Sequence, residues 1–152
     1  MEILNRKARY DYELLDKFEA GIVLTGTEIK SIRKGSANLK DSYAIVKNNE
    51  VFLLNMHISA YEQGNQFNHD ETRTRKLLLH KNEIKKINEN ISIKGLTLVP
   101  VKLYFKDGKA KIELAIARGK HTYDKKETIK QRDIEREMKK SIKFWLFYIF
   151  II

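Results

Sequence analysis

The residues best able to make or break bonds are scattered along this chain. The four histidines, His57, His69, His80 and His121, stand eleven or more positions apart. None forms the i, i+4 pair that sets two imidazoles on one helical face around a metal. His69-Asp70-Glu71 is the one local run with cation-ligating side chains, and a solvated polar loop is its plainer reading. There is no cysteine, which removes thiolate nucleophiles, disulfides and sulfur-bound zinc. The seven glycines spell neither a GxGxxG nor a GxxxxGK[ST] phosphate cradle. No serine sits in a nucleophile elbow, and no carboxylates cluster for metal-assisted hydrolysis. The expectation is a protein that is not an enzyme and carries neither cofactor nor metal.

What the side chains do offer is charge. Thirty Lys and Arg against twenty Asp and Glu leave a net +10 on 152 residues, an imbalance that points to a polyanionic partner. Nucleic acid fits better than a membrane, because no amphipathic basic helix or lipidation signal opens the chain. Met1 to Arg9 reaches charged residues at once and has no secretory apolar stretch, so a cytoplasmic protein is expected. Asn5-Arg6-Lys7-Ala8-Arg9-Tyr10 packs three cations into four positions. From Arg118 to Lys143 ten Lys or Arg face five acids, a net +5, with only a thin apolar stripe at Ile129, Ile134, Met138 and Ile142. A helix there has little to bury and is expected to order only on a partner.

Strand-like segments must hold these charges in place. The basic opening leads into an extended stretch with Tyr12, Leu14, Leu15 and Phe18, and Gly21 to Leu24 reads as a second short strand. Thr25-Gly26-Thr27-Glu28 spells a capping box for a helix to about Arg33, with Gly35 placed to end it. Ser42–Val46 and Val51–Ile58 form a hairpin about Asn48-Asn49. Leu96–Phe105 and Lys111–Ala117 form a clearer one about Asp107-Gly108. Ile112, Leu114 and Ile116 alternate with Lys111, Glu113 and Ala115, which predicts one buried and one solvated face. Tyr61–Arg75 reads as a long loop, Leu77-Leu78-Leu79 as a short strand, and Lys81–Asn90 as a helix with Ile84 and Ile87 inward. The pattern predicts a mainly β, oligonucleotide-binding-type (OB-like) antiparallel barrel of about six strands with two to three helices, followed by a basic C-terminal tail.

Five strings, in this order, go beyond pattern: NRKARYDY, FEAGIVLTGTEIKSIR, ANLKDSYA, TRTRKLLLHKNEI and ARGKHTYDKKETIKQRD. Together they closely resemble the SsrA-binding protein family, also called small protein B, from about Asn5 to Lys140. The resemblance implies an OB-type barrel that grips the tRNA-like domain of transfer-messenger RNA and escorts it to stalled ribosomes in trans-translation. Asn5, Glu19, Leu78 and His80 match the family's RNA-contacting positions. Read by chemistry alone, Glu19 is an ordinary solvated acid and Leu78 a core residue; the family role asks Glu19 to accept from a base or sugar edge. His80 stands where the family often has an amide, and its imidazole can stack or donate instead. Arg6, Lys7, Arg9, Arg73, Arg75 and Lys76 are natural phosphate partners, whose binding releases counterions and weakens as salt rises.

The resemblance also assigns the arm. Gly119 and Lys120 begin a stretch similar to the family's tail, which orders as a helix in the messenger path of the small ribosomal subunit, against RNA of the decoding centre. Tyr123 stands where the family often has a stacking histidine. Asp124-Lys125-Lys126 matches an Asp-Lys-Arg motif with the last residue changed, which keeps charge but loses the bidentate fork, and Lys130 continues the basic run. Elongation factor Tu is implied only indirectly, through charged transfer-messenger RNA. The expected division is a barrel over 1–118, a tail over 119–143 and an atypical apolar terminus over 144–152. Phe144 to Ile152 is the largest departure from the family; as a helix it would cover about 14 Å of a ~30 Å bilayer core and cannot span it alone. Two alternatives stay open: a barrel for some other structured RNA, and a membrane adaptor using those nine residues as a shallow anchor.

Overall fold

This computed structural model describes residues 1–63 and 68–120, together with Arg136. Its elements run β1 (Glu2–Leu4), α1 (Arg6–Asp11), β2 (Tyr12–Ile22), α2 (Gly26–Arg33), β3 (Ala37–Asn38), β4 (Tyr43–Lys47), β5 (Glu50–Leu54), β6 (His57–Ile58), β7 (Arg75–Leu78), α3 (Lys81–Ile91), β8 (Leu96–Lys106) and β9 (Lys109–Gly119). The positions named for the tail from Tyr123 onward, and the apolar run 144–152, lie outside the described residues.

Six strands close on themselves. β8 pairs with β4, β4 with β5, β5 with β7, β7 with β2, β2 with β9, and β9 returns to β8, every contact antiparallel. This ring is the six-stranded barrel that the alternation predicts. The described residues also hold two short strands, β1 and β3, that the sequence reading did not anticipate, and the expected Val51–Ile58 strand is broken at Asn55, φ 64°, into β5 and β6. β1 adds to the half of β8 that β4 does not reach, and β3 pairs with β6 as a separate ribbon. Closure removes the open edges on which sheets otherwise aggregate.

The local chemistry explains the corners. Asn48 and Asn49, with φ of 52° and 60°, and Asp107 and Gly108, with φ of 53° and 75°, make the two tight hairpin turns; positive φ at both central residues matches the strand twist. At α2 the Thr25 side chain accepts from the Glu28 amide while the Glu28 carboxylate accepts from the Thr25 amide at 2.9 Å. Gly35, at φ +77°, terminates that helix. Inside the ring, Phe18, Ala20 and Ile22 of β2 meet Leu53, Leu77, Leu98, Leu103, Ile112, Leu114 and Ile116, joined by Ile32 from α2 and Ile87 from α3. β2 is one continuous strand to Ile22, where two segments were expected.

Two expectations are corrected. The basic opening is a helix, α1, rather than a lip running straight into a strand. The second face of β9 is not fully solvated, since Ala115 and Ala117 are both buried. Ala8 of α1 packs against Ala117 and Val99, flanked by Tyr12 and Leu14. Alanines on helix and strand let the two backbones approach closely, and that contact holds α1 on the outside of the barrel.

Candidate nucleic-acid interface

Strand alternation decides which predicted contacts face outward. Along β7, Arg75 and Leu77 are buried while Lys76 and Leu78 are exposed. Gly21 of β2 pairs with Leu78, and a Cβ at Gly21 would meet the Leu78 Cβ at 3.3 Å. The glycine therefore lets β7 lie close while Leu78 stands out of the barrel, 53% exposed. His80, also exposed, precedes α3, and its amide donates to the Glu83 carboxylate at 3.1 Å.

Glu19, on the outward face of β2, points into the same region. Its nearest cation is Lys106 at 3.5 Å, both side chains well exposed, a pairing that contributes little in water and exchanges readily. Burial and the neighbouring Glu19 carboxylate push Tyr104 up to about 12, so its hydroxyl stays protonated beside that carboxylate at neutral pH. Glu19, Leu78 and His80 together line an open cleft of about 770 Å³. An acceptor, an apolar platform and an imidazole in one open cleft suit an unstacked nucleotide. Arg33, Phe105 and the Lys109–Lys111 segment also line it. Sequence reasoning missed these three; the only signal was their position beside α2 and the Asp107-Gly108 turn.

The other predicted contacts do not all join this cleft. Arg6, Lys7 and Arg9 lie exposed on α1, next to the start of β2. Glu19 lies near the other end of that strand, and at about 3.3 Å per residue the two ends are up to about 30 Å apart. Lys7 is engaged with Asp41 at 2.6 Å, which raises its pKa through that hydrogen bond and charge. Gly119 pairs with Tyr12, so the strand that leads to Lys120 ends beside α1.

Asn5 and Arg75, both expected to contact RNA, are buried parts of the scaffold. Asn5 caps α1 by accepting from Ala8 at 3.1 Å, and its Nδ2 donates to the Pro100 and Leu39 carbonyls at 2.8 and 3.3 Å. Pro100 stands beside the register shift in β8 between Pro100 and Lys102, where the Asn5 backbone amide also donates to the Val101 carbonyl at 2.8 Å. Asn5→Ala is expected to lower stability by about 1–3 kcal/mol through the lost cap and the lost bonds to the Pro100 and Leu39 carbonyls, of which Leu39 keeps its bonds from Ser42. Urea unfolding checks this; an unchanged midpoint would mean those bonds matter little.

Arg75 is wholly buried and donates to Glu28, to the Met56 carbonyl at 2.6 Å and to the Asp70 and Glu71 carbonyls. Having Leu77 inward on the same strand already requires Arg75 to point inward. Glu28, itself fully buried, also accepts from Arg73 at 2.6 Å, and Arg73 keeps about a third of its side chain in water. Lys76 is exposed and faces Glu50 at 3.2 Å. Of this cluster, Arg73 and Lys76 remain accessible to phosphate. Among the described residues no group of three or more His, Cys, Asp or Glu is arranged to hold a metal, and no helix is long and apolar enough to cross a membrane.

Comparison with known proteins places this architecture. The SsrA-binding protein of Ligilactobacillus salivarius is 61% identical over 139 residues, covering 91% of this chain and 90% of that one. Those of Staphylococcus aureus strain JH1 and Desulforudis audaxviator are 58% and 57% identical, covering 91% and 88% of this chain and 90% and 88% of their own. A solved structure described as "tmRNA-SmpB: a journey to the center of the bacterial ribosome" aligns with a TM-score of 0.68 at 46% identity, over 84% of this chain and 94% of that chain. The family profile described as SmpB protein matches residues 2–144. A closed barrel with an outward carboxylate, leucine and imidazole in one cleft, matched along nearly all its length, belongs to the SmpB family of SsrA-binding proteins.

Proposed function

We propose that this protein binds the tRNA-like domain of transfer-messenger RNA with the cleft at the β2–β7 seam and delivers that RNA to stalled ribosomes in trans-translation. One observation carries the reading: Glu19, Leu78 and His80, far apart in sequence, converge in one open cleft on an SmpB-family barrel. Its work is recognition and delivery in the cytoplasm, without catalysis. Glu19 accepts from a base or sugar edge, Leu78 supplies an apolar platform and His80 stacks or donates. Arg73 and Lys76 neutralise phosphates near the cleft, while Arg6, Lys7 and Arg9 do so around α1.

The division of labour follows the chain. Residues 1–118 grip RNA; residues 119–143, with Gly119, Lys120, Tyr123, Asp124, Lys125, Lys126 and Lys130, serve the decoding centre and messenger path of the small subunit. Elongation factor Tu joins through the charged RNA. The exit of β9 beside α1, away from the cleft, supports this separation.

The test is binding of the purified protein to the tRNA-like domain against ordinary tRNA competitor over a salt series. Preference by orders of magnitude that persists at high salt supports the escort function. Equal binding and joint release of the two RNAs would reduce the protein to a generic basic barrel.

A further inference from the structure

We infer that helix α2 is a phosphate-gripping ridge beside the cleft, with Lys30, Arg33 and Lys34 holding the sugar-phosphate backbone of the RNA whose nucleotide the cleft takes. The inference rests on the cleft's RNA-binding function and extends it to an element that function did not use.

Lys30 and Arg33 in the last turn of α2 and Lys34 at its C-cap stand at i, i+3 and i+4, so they line one side of the helix end, about 5–6 Å apart at their Cβ atoms. All three are exposed, and the opposite face buries Glu28, Ser31 and Ile32. What sets them apart is the lack of a carboxylate partner among the described residues, not the ring contact, since Lys86 and Lys102 also lie over the Phe18 and Tyr104 rings while each faces an acid. Lys17, Lys76, Lys102 and Lys106 each face a carboxylate. The three α2 cations lie over ring faces, the Lys30 and Lys34 ammoniums 5.5 and 4.8 Å from the Tyr61 centroid and the Arg33 guanidinium 5.7 Å from that of Phe105, and Lys34 also donates to the neutral Gln63 side-chain oxygen at 3.4 Å.

The difference has a physical consequence. A lysine paired with an exposed carboxylate adds less to the field a polyanion senses and must exchange that pair to bind. A cation over an aromatic ring is held by the quadrupole and keeps its full charge. Three like charges on one helical face repel one another, by a few tenths of a kcal/mol per pair. The negative end of the helix dipole, where these residues lie, favours them and partly offsets that repulsion. An RNA backbone turns this concentrated charge into binding free energy. Arg33 also lines the cleft with Glu19, Leu78 and His80, so the ridge starts at the cleft wall, where a nucleotide held in the cleft brings its own phosphates.

The experiment measures affinity of the full-length protein for the tRNA-like domain and for ordinary tRNA at several salt concentrations. Wild type is compared with Lys30→Gln, Arg33→Gln, Lys34→Gln and the triple variant; glutamine keeps helix propensity and a polar side chain while removing the charge. The triple variant is expected to bind both RNAs more weakly at low salt. Its plot of log affinity against log salt should be shallower by about 2–3, roughly 0.7–0.9 per lost phosphate contact. Each single variant should contribute about one third of that change, with the unfolding midpoint held. An unchanged slope overturns the inference, whether affinity is unchanged or falls through structural damage. If instead wild type shows no preference for the tRNA-like domain, the cleft reading fails while the slope still reports on α2.

Discussion

Glu19→Ala is expected to weaken binding to the tRNA-like domain on the order of 10- to 100-fold, the 1–3 kcal/mol of a good base contact, without lowering the unfolding midpoint. Both halves follow from its surroundings. The carboxylate is 41% exposed and its cation, Lys106, is more exposed still, so the fold loses little when it goes. In a complex the RNA donor that met it would be left dry and unpaired, which is where the larger cost arises. Glu19→Gln keeps one acceptor but no charge and should fall between wild type and alanine. A binding titration paired with thermal unfolding decides the matter, and equal affinity of wild type and Glu19→Ala would remove Glu19 from the interface.

Glu28→Ala should produce the largest loss of stability of any single change described, about 3–5 kcal/mol of the 5–15 typical for a domain. Glu28 and Arg75 are both wholly buried and Arg73 is partly so; deleting the carboxylate strands two guanidiniums next to each other. Replacing Glu28 and Arg75 together, as Glu28→Leu with Arg75→Met, should recover part of the loss, because a buried apolar pair carries no desolvation penalty. Urea unfolding of the two single variants and the double one measures the coupling, and additive effects would show that the ion pair is not a unit. Acid should act on the same group. Burial raises the Glu28 pKa, but hydrogen bonds from Arg73, the Thr25 amide and Arg75 outweigh it, so the net value lies below the usual 4.5. A carboxyl depressed on folding stabilises above its unfolded pKa and loses that stabilisation as pH falls through its folded one. Stability should therefore decline below about pH 4.5, and Glu28→Gln should flatten the part of the decline that belongs to this group.

How far the sequence could be read depended on the kind of signal. The Thr25–Glu28 capping box, the Asn48-Asn49 and Asp107-Gly108 turns and the inward Ile112, Leu114 and Ile116 are local rules, and each appears in the fold at its expected place; the solvated half of that alternation does not hold where Ala115 and Ala117 are buried. Helix α1 escaped because Arg6–Asp11 buries one residue, Ala8, leaving no apolar period to read. The missed strands β1 and β3 are three and two residues long and exist by virtue of partners far along the chain. The candidate site was partly legible. Leu78 outward and Leu77 inward follow from one strand's alternation, and the same rule, carried two residues back, would have taken Arg75 off the phosphate set. That Asn5 would be consumed by the Leu39 and Pro100 carbonyls could not be read, because those bonds bridge segments that only the closed barrel brings together.

The place of β9 in the ring bears on when the protein can come into being. β9 is the last strand of the ring to be made, and it supplies both remaining seams, to β8 beside it and to β2 about a hundred residues earlier. The first seam is a hairpin that zips locally; the second is a distant encounter whose loop-closure entropy must be met before any contact rewards it. During synthesis β2 lacks its β9 partner until the residues that complete the barrel have been made, so its apolar face is the last to be covered along that seam.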